Sequence, residues 1–104
     1  MFYLISYDIP KDSIRNKIVK LCEAYGFQRI QYSVFAGEQT RNMIETFSLE
    51  AKDCMGKNLG KIVVIPICFK CFEKVIGIGT QEDLSQTTAQ KKIGLVEEEK
   101  VMIV

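Results

Sequence analysis

The stretch MFYLISYDIP, residues 1–10, decides the fold of this chain of 104 residues. Phe2–Tyr7 contains five apolar or aromatic residues and one serine, a β-prone run that is too short to favour a helix. Pro10 lacks a backbone N–H and pushes Ile9 toward an extended conformation, so the predicted strand ends there. Asp8 is therefore predicted to be the last residue of a rigid strand, where a carboxylate suits a hard divalent cation. The alternative is that Asp8 only caps the turn into the next element.

A helix is predicted next along the chain. Asp12 or Ser13 can accept hydrogen bonds from the N–H groups of its first turn, and Gly26 suits the position just past its end. Between these signals, apolar residues recur at helical spacing and define one buried face, namely Ile14, Ile18, Leu21, Cys22 and Tyr25, with Val19 at its edge.

The middle of the chain predicts a hairpin followed by a second helix. Phe27–Glu38, FQRIQYSVFAGE, is rich in aromatic and β-branched residues and indicates two short strands, about 27–31 and 34–38, or one longer bent strand. Thr40 can cap a helix that runs to about Met55. Its predicted buried face consists of Met43, Ile44, Phe47 and Ala51.

Lys61–Ile67, KIVVIPI, is a continuous apolar run that predicts a central strand, although Pro66 indicates incomplete pairing near its end. The order β-α-β-β-α-β predicts an α+β fold of the ferredoxin-like type, a four-stranded antiparallel sheet with both helices on one face. Two further apolar stretches, Lys74–Gly79 and Lys100–Val104, predict extra strands that pair with a second copy of the chain.

The predicted domain organisation follows from this order of helices and strands. Residues 1–79 are predicted to form one ferredoxin-like domain, and residues 80–104 a C-terminal extension with a terminal strand. The polar stretch Thr80–Lys92 would be the linker between them.

The composition excludes several classes of function. The chain has no histidine, which removes histidine-dependent nucleophiles and metal ligands, and it has neither common glycine-rich phosphate loop. Its net charge of +1 does not by itself indicate a nucleic-acid partner. No segment has the length of a membrane span or the pattern of a secretory signal, so we expect a cytoplasmic protein without a membrane partner.

The four cysteines are then interpreted as thiols rather than a disulfide framework. Cys68 and Cys71 form a C-x-x-C, but a zinc site needs four ligands and would have to borrow from the other cysteines or a second subunit. The favoured interpretation is two thiols near the end of a buried strand.

Several segments together resemble a known family. Tyr7-Asp8-Ile9, Arg15, Gly26 and RIQYSVFAG at residues 29–37 are similar to the signature of the CRISPR-associated endonucleases that form the smaller subunit of the spacer-acquisition complex. The later IVVIPI, Phe72 and VIGIG stretches fit it as well, so the resemblance spans residues 2–79. Tyr-Asp-Ile alone is a weak signal, but its combination with the spaced arginine and Ser-Val-Phe-x-Gly is specific.

The resemblance implies a homodimer with a metal site between its subunits. By position, Asp8 would be the Mg²⁺ ligand, with one ion per dimer shared between the two Asp8 side chains. The resemblance implies a catalytic site, with supporting or substrate-contacting residues, made of Asp8, Tyr7, Arg15, Arg29 and Phe35, and nucleic-acid contacts from Arg15, Lys17 and Arg29. Lys17 stands where some members have a second arginine, which keeps the charge but loses bidentate gripping of phosphate.

The implied function is a Mg²⁺-dependent endonuclease that cleaves RNA or DNA during spacer acquisition in prokaryotic antiviral defence, with the integrase subunit of that complex as partner. One alternative is a non-catalytic scaffold that binds DNA between copies of the integrase. Another is a toxin-type ribonuclease of similar fold, which fits Ser-Val-Phe-Ala-Gly less well.

Overall fold

The computed structural model describes residues 1–79, which form seven elements. In chain order these are β1 (Phe2–Asp8), α1 (Asp12–Ala24), β2 (Gln28–Gln31), β3 (Val34–Glu38), α2 (Arg41–Met55), β4 (Lys61–Ile67) and α3 (Phe69–Glu73). The chain divides into two compact units, Met1–Pro66 and a second that begins at Ile67. The predicted domain boundary at residue 79 coincides with the end of the described part and stays a prediction.

The four strands form one antiparallel sheet in the order β2-β3-β1-β4. β1 pairs with β3 from Phe2 opposite Glu38 to Ser6 opposite Val34. β2 pairs with β3 as a separate strand with an irregularity between Arg29 and Gln31, so the hairpin interpretation is confirmed over the single bent strand. The predicted ferredoxin-like α+β fold is confirmed.

Alternate residues of β1 pack against the helices. Tyr3, Ile5 and Tyr7 are at most 5% exposed, because residues two apart on a strand share one face. They belong to one apolar core with residues of both α1 and α2, together with Ile9, Ile14, Ile18, Cys22, Phe27, Phe35, Ile44, Phe47 and Ala51. The two helices therefore cover the same face of the sheet, and β1 runs through its centre.

Thr40 caps α2 as predicted, since its side chain accepts a hydrogen bond from the Met43 N–H. The predicted cap of α1 is wrong: Lys11 occupies the cap position, and no side chain caps it. Asp12 instead pairs with Arg15. Met43 was predicted to be buried but is 43% exposed, because the core face of α2 runs through Ile44.

β4 lies at the edge of the sheet, so its prediction as a central strand is wrong. Ile62 and Val64 pack against the core, whereas Val63 and Ile65 on the other face are 41% and 40% exposed. An apolar run predicts that both faces of a strand avoid water, but it does not reveal how many neighbouring strands pair with it.

The second unit differs from the prediction in its first residues. α3, which was not predicted, begins directly after β4. No strand is present over residues 74–79, because Lys74 closes α3 and no described strand offers these residues a ladder. The predicted strand Lys100–Val104 lies outside the described residues. None of the helices within residues 1–79 is long and apolar enough to cross a membrane.

Candidate active site at the end of the first strand

The end of β1 holds the Asp8 backbone in place and leaves its side chain exposed. The Tyr7 N–H donates to the Ser33 carbonyl oxygen at 3.1 Å, which ties the strand to the turn between β2 and β3. Tyr7 and Ile9, on either side of Asp8, are 5% and 3% exposed. The carboxylate is therefore carried by an anchored backbone and is accessible from solvent.

Gly60 approaches the same backbone from the loop between α2 and β4. Its φ is +145°, and a Cβ there would lie 3.2 Å from the Asp8 carbonyl oxygen and 2.9 Å from the Met55 Cε atom. Glycine tolerates both the conformation and the close approach. The contact of this loop with Asp8 was not predicted from the sequence.

A cavity of about 580 Å³ opens beside Asp8. It is formed by the end of β1, the loop into α1 and the β2–β3 turn, and it is lined by Ser6, Tyr7, Asp8, Ile9, Pro10, Arg15, Tyr32 and Ser33. It combines one carboxylate and one guanidinium with several hydroxyl groups. A second cavity, of about 650 Å³, lies beside α2 and β4, and none of the predicted site residues lines it.

Arg15 is hydrogen-bonded to the loop that follows Asp8. Its Nη1 atom donates to the Ile9 carbonyl oxygen at 2.8 Å and lies 3.4 Å from that of Pro10, and its Nη2 atom pairs with the Asp12 carboxylate. Asp12 is the main cause of a raised Arg15 pKa, so the guanidinium keeps its charge. A guanidinium has five N–H donors, and these contacts leave some of them for a ligand in the cavity.

Tyr7 lines the cavity, and Arg29 is hydrogen-bonded to Tyr7. The Tyr7 hydroxyl donates to the Tyr32 carbonyl oxygen at 3.0 Å and accepts from the Arg29 Nη2 atom at 3.3 Å. The Arg29 guanidinium carbon lies 5.7 Å from the centre of the Tyr32 ring and 5.2 Å from that of Phe35. Those distances allow cation–π attraction, which places the charge of Arg29 beside the turn.

The predicted site residues thus divide into three groups. Asp8, Tyr7 and Arg15 line the cavity, and Arg29 adjoins it through Tyr7. Phe35 is 1% exposed in the core, so it supports Tyr7 and Arg29 rather than contacting a ligand. Lys17 is exposed on α1 and is not among the lining residues.

Five lining residues were not predicted as part of the site, namely Ser6, Ile9, Pro10, Tyr32 and Ser33. Ser6 and Ser33 contribute hydroxyl groups, and Tyr32 is 70% exposed at the tip of the β2–β3 turn. No local signal could have found Tyr32 and Ser33, because the turn after β2 comes beside the end of β1 only through the pairing of Ser6 with Val34. Asp12 was also missed, since its spacing from Arg15 fits both a cap and an ion pair.

The donors at Asp8 suit a hard cation only in part. Carboxylate and hydroxyl oxygens are the ligand type that Mg²⁺ prefers. Within residues 1–79, however, no group of three or more His, Cys, Asp or Glu side chains could hold a metal ion. Asp8 would need waters, a phosphate oxygen or a second copy of the chain to complete an octahedral site.

A family model described as CRISPR associated protein Cas2 matches residues 1–75. A CRISPR-associated endoribonuclease Cas2 from Desulforudis audaxviator is 37% identical over 67 residues, which are 64% of this chain and 63% of that protein. A CRISPR-associated endoribonuclease Cas2 1 from Methanospirillum hungatei is 33% identical over 90 residues, which are 86% of this chain and 93% of that protein.

Two solved structures share the fold. A hypothetical protein from Thermus thermophilus superposes with a TM-score of 0.60 at 26% identity, covering 81% of this chain and 89% of its own. Streptococcus pyogenes Cas2 superposes with a TM-score of 0.67 at 23% identity, covering 76% of this chain and all of its own.

Proposed function

The chain belongs to the CRISPR associated protein Cas2 family, and on that premise we propose that it is a Mg²⁺-dependent endonuclease of spacer acquisition. The observation that carries the proposal is the exposed Asp8 carboxylate on an anchored strand end, beside a cavity that also holds Arg15. RNA is the proposed substrate, because the relatives described above are called endoribonucleases.

Asp8 is the proposed metal ligand. One carboxylate is a poor Mg²⁺ site, but two carboxylates related by a two-fold axis can share one ion whose other positions are filled by waters and a phosphate oxygen. We therefore propose a homodimer with one Mg²⁺ between its two Asp8 side chains. When bound, the ion would lower the pKa of water and stabilise the charge that develops on the phosphate.

Arg15 and Arg29 carry the proposed contacts to the substrate backbone. Arg15 lines the cavity, and a permanently charged guanidinium can donate two parallel hydrogen bonds to phosphate oxygens. Arg29 does not line the cavity, but it donates a hydrogen bond to the hydroxyl of Tyr7, which does. Their charges would orient the scissile phosphate toward Asp8 and offset part of its negative charge.

Tyr7 is proposed as a positioning residue. Its hydroxyl joins the Tyr32 carbonyl to Arg29, while its backbone N–H binds Ser33. These three bonds fix the β2–β3 turn against the end of β1. The exposed ring of Tyr32 is then held at the mouth of the cavity, where an unpaired base could stack on it.

A second candidate function is a non-catalytic scaffold that binds duplex DNA between integrase subunits. It is favoured by the single acidic residue among those lining the cavity and by the engagement of Arg15 within its own chain. In both candidates the integrase subunit of the spacer-acquisition complex is the proposed protein partner.

A cleavage assay separates the two candidates. The purified protein is incubated with single-stranded RNA, single-stranded DNA and duplex DNA of one sequence, with Mg²⁺ or with a chelator. The proposal expects RNA cleavage that requires Mg²⁺ and stops in the chelator. Binding of duplex DNA without cleavage of any substrate would favour the scaffold, and cleavage that persists in the chelator would overturn the metal-dependent mechanism.

A further inference from the structure

The C-x-x-C motif has no part in the proposed nuclease site. Cys68 is the residue that precedes the first turn of α3, and Cys71 is the third residue of that helix. The Phe72 N–H donates to the Cys68 carbonyl oxygen at 2.9 Å, which closes the turn between the two cysteines. Both thiols are free and exposed.

The geometry of this turn suits an intramolecular disulfide. Cys68 and Cys71 flank one hydrogen-bonded turn, and their thiols hydrogen-bond to each other, so the two sulfur atoms lie side by side, as a disulfide between them requires. Each thiol thus has a resolving partner within reach without a large movement of the backbone.

The two thiols differ in acidity in the way that exchange chemistry requires. The backbone N–H of Cys71 and then its thiol lower the pKa of Cys68, whereas the adjacent Cys68 thiol raises the pKa of Cys71. The thiolate is the nucleophile in thiol–disulfide exchange, so Cys68 is the attacking residue and Cys71 the resolving one.

The other two cysteines provide a contrast within the same chain. Cys22 is fully buried in the core, and desolvation raises its pKa to about 12. Cys54 is half-buried and packs against the core. Neither presents an exposed thiol with a partner three residues away in sequence.

We propose that Cys68 and Cys71 form a reversible redox-active dithiol that exchanges with small-molecule disulfides such as glutathione disulfide. A metal site is disfavoured, since within residues 1–79 no third Cys, His, Asp or Glu joins the pair. The dithiol is independent of cleavage at Asp8.

The exchange proceeds in two balanced steps. The Cys68 thiolate attacks one sulfur of the disulfide, forming a mixed disulfide and releasing one thiolate, which takes up a proton. The Cys71 thiol then loses its proton to solvent and its sulfur attacks the Cys68 sulfur, releasing the second thiolate. The two cysteines lose two electrons and two protons in total, and the small-molecule disulfide is reduced to two thiols.

Intact-mass spectrometry of the reduced full chain after incubation with glutathione disulfide tests the proposal. The wild type is expected to lose the mass of two hydrogens without retaining glutathione, and dithiothreitol should restore the original mass. Cys71→Ser should retain one glutathione on Cys68, because the resolving thiol is absent. Cys54→Ser is the matched control and should behave as the wild type.

Rates provide the second readout. Cys68 should react with iodoacetamide at least about tenfold faster than Cys54 at neutral pH. A wild type that stays reduced, a stable glutathione adduct on it, or loss of the disulfide in Cys54→Ser would each overturn the proposal. Retention of zinc by Cys68 and Cys71 in native mass spectrometry would do so as well.

Discussion

Arg15 lines the Asp8 cavity and Arg29 adjoins it through Tyr7, and the two guanidinium groups are held differently. Arg15 is bonded to the loop carbonyls and to Asp12, and its side chain is 23% exposed. Arg29 rests on two aromatic rings and on the Tyr7 hydroxyl. We therefore predict that replacing Arg15 affects the local fold as well as substrate binding, whereas replacing Arg29 acts mainly through the lost charge.

Replacing Arg29 tests that difference. Arg29→Ala should weaken RNA binding and reduce the slope of log affinity against log salt by about one, since one phosphate contact is lost. Arg15→Ala should do the same and also lower the melting temperature. Arg41→Ala is the control, because Arg41 pairs with Glu45 on the exposed surface of α2. Equal salt slopes for Arg29→Ala and Arg41→Ala would place Arg29 outside the interface.

The Tyr7 hydroxyl gives a second residue-scale prediction. Tyr7→Phe removes the donor to the Tyr32 carbonyl and should lower the free energy of unfolding by about 1 kcal/mol in urea denaturation. Cleavage should fall further than stability explains, because the β2–β3 turn is released from the site. Tyr3→Phe, on the same face of β1 but away from the Asp8 cavity, should leave cleavage unchanged. Full cleavage activity of Tyr7→Phe would contradict the positioning role of this hydroxyl.

At the scale of elements, the loop after α2 packs closely against the backbone of Asp8. Gly60→Ala would force a Cβ against the Asp8 carbonyl oxygen at a positive φ, so both stability and cleavage should decrease. Gly26→Ala is the matched control, since its φ is +87° and a Cβ there would meet nothing within 4 Å. It should lose about 1 kcal/mol through backbone conformation alone, with cleavage retained. Calorimetry compares the stabilities of the two variants, and a cleavage assay compares their rates. Equal cleavage rates for Gly60→Ala and Gly26→Ala would contradict a link between Gly60 and Asp8.

The sequence predicted the elements that carry strong local signals. Pro10 after an apolar run placed Asp8 at the end of β1, and Thr40 with the apolar spacing of Ile44, Phe47 and Ala51 defined α2. Strand order within the sheet depends on long-range pairing. The edge position of β4 could not be predicted from the sequence KIVVIPI. Val63 and Ile65 are exposed, but they are apolar and β-branched, as the residues of buried strands are.

The site was predictable only where residues are close in sequence or carry a family motif. Asp8, Tyr7 and Arg15 were expected near one another, and they line one cavity. Ser33 and Tyr32 enter that cavity through the register of β3 against β1, which the local sequence does not specify. The burial of Phe35 also follows from this pairing, since it lies opposite Ile5 on the core face.

For the whole molecule, the exposed apolar residues Val63 and Ile65 on an edge strand favour burial against another copy. We predict that the full chain is a homodimer whose mass in light scattering is twice that of one chain. The predicted strand Lys100–Val104 should contribute to it, so Met102→Pro, which removes a ladder N–H, should weaken dimerisation.

Gln86→Pro is the control for that experiment, because it places a proline in the polar stretch before the predicted strand. It should leave the dimer intact. A monomeric wild type would remove the shared metal site together with the dimer. If Met102→Pro forms a dimer as stable as that of the wild type, the predicted strand Lys100–Val104 does not contribute to the dimer interface.

The assignment of the metal site to Asp8 is tested most directly by the rate of Mg²⁺-dependent RNA cleavage by Asp8→Asn. This substitution keeps the shape of the side chain and removes its charge, whereas Asp53→Asn makes the same change on the exposed surface of α2. Asp8→Asn should lose at least about a hundredfold in rate while keeping its circular dichroism spectrum and its mass in solution. Asp53→Asn should cleave as the wild type does. Undiminished Mg²⁺-dependent cleavage by folded Asp8→Asn would contradict the assignment of the metal site to this residue.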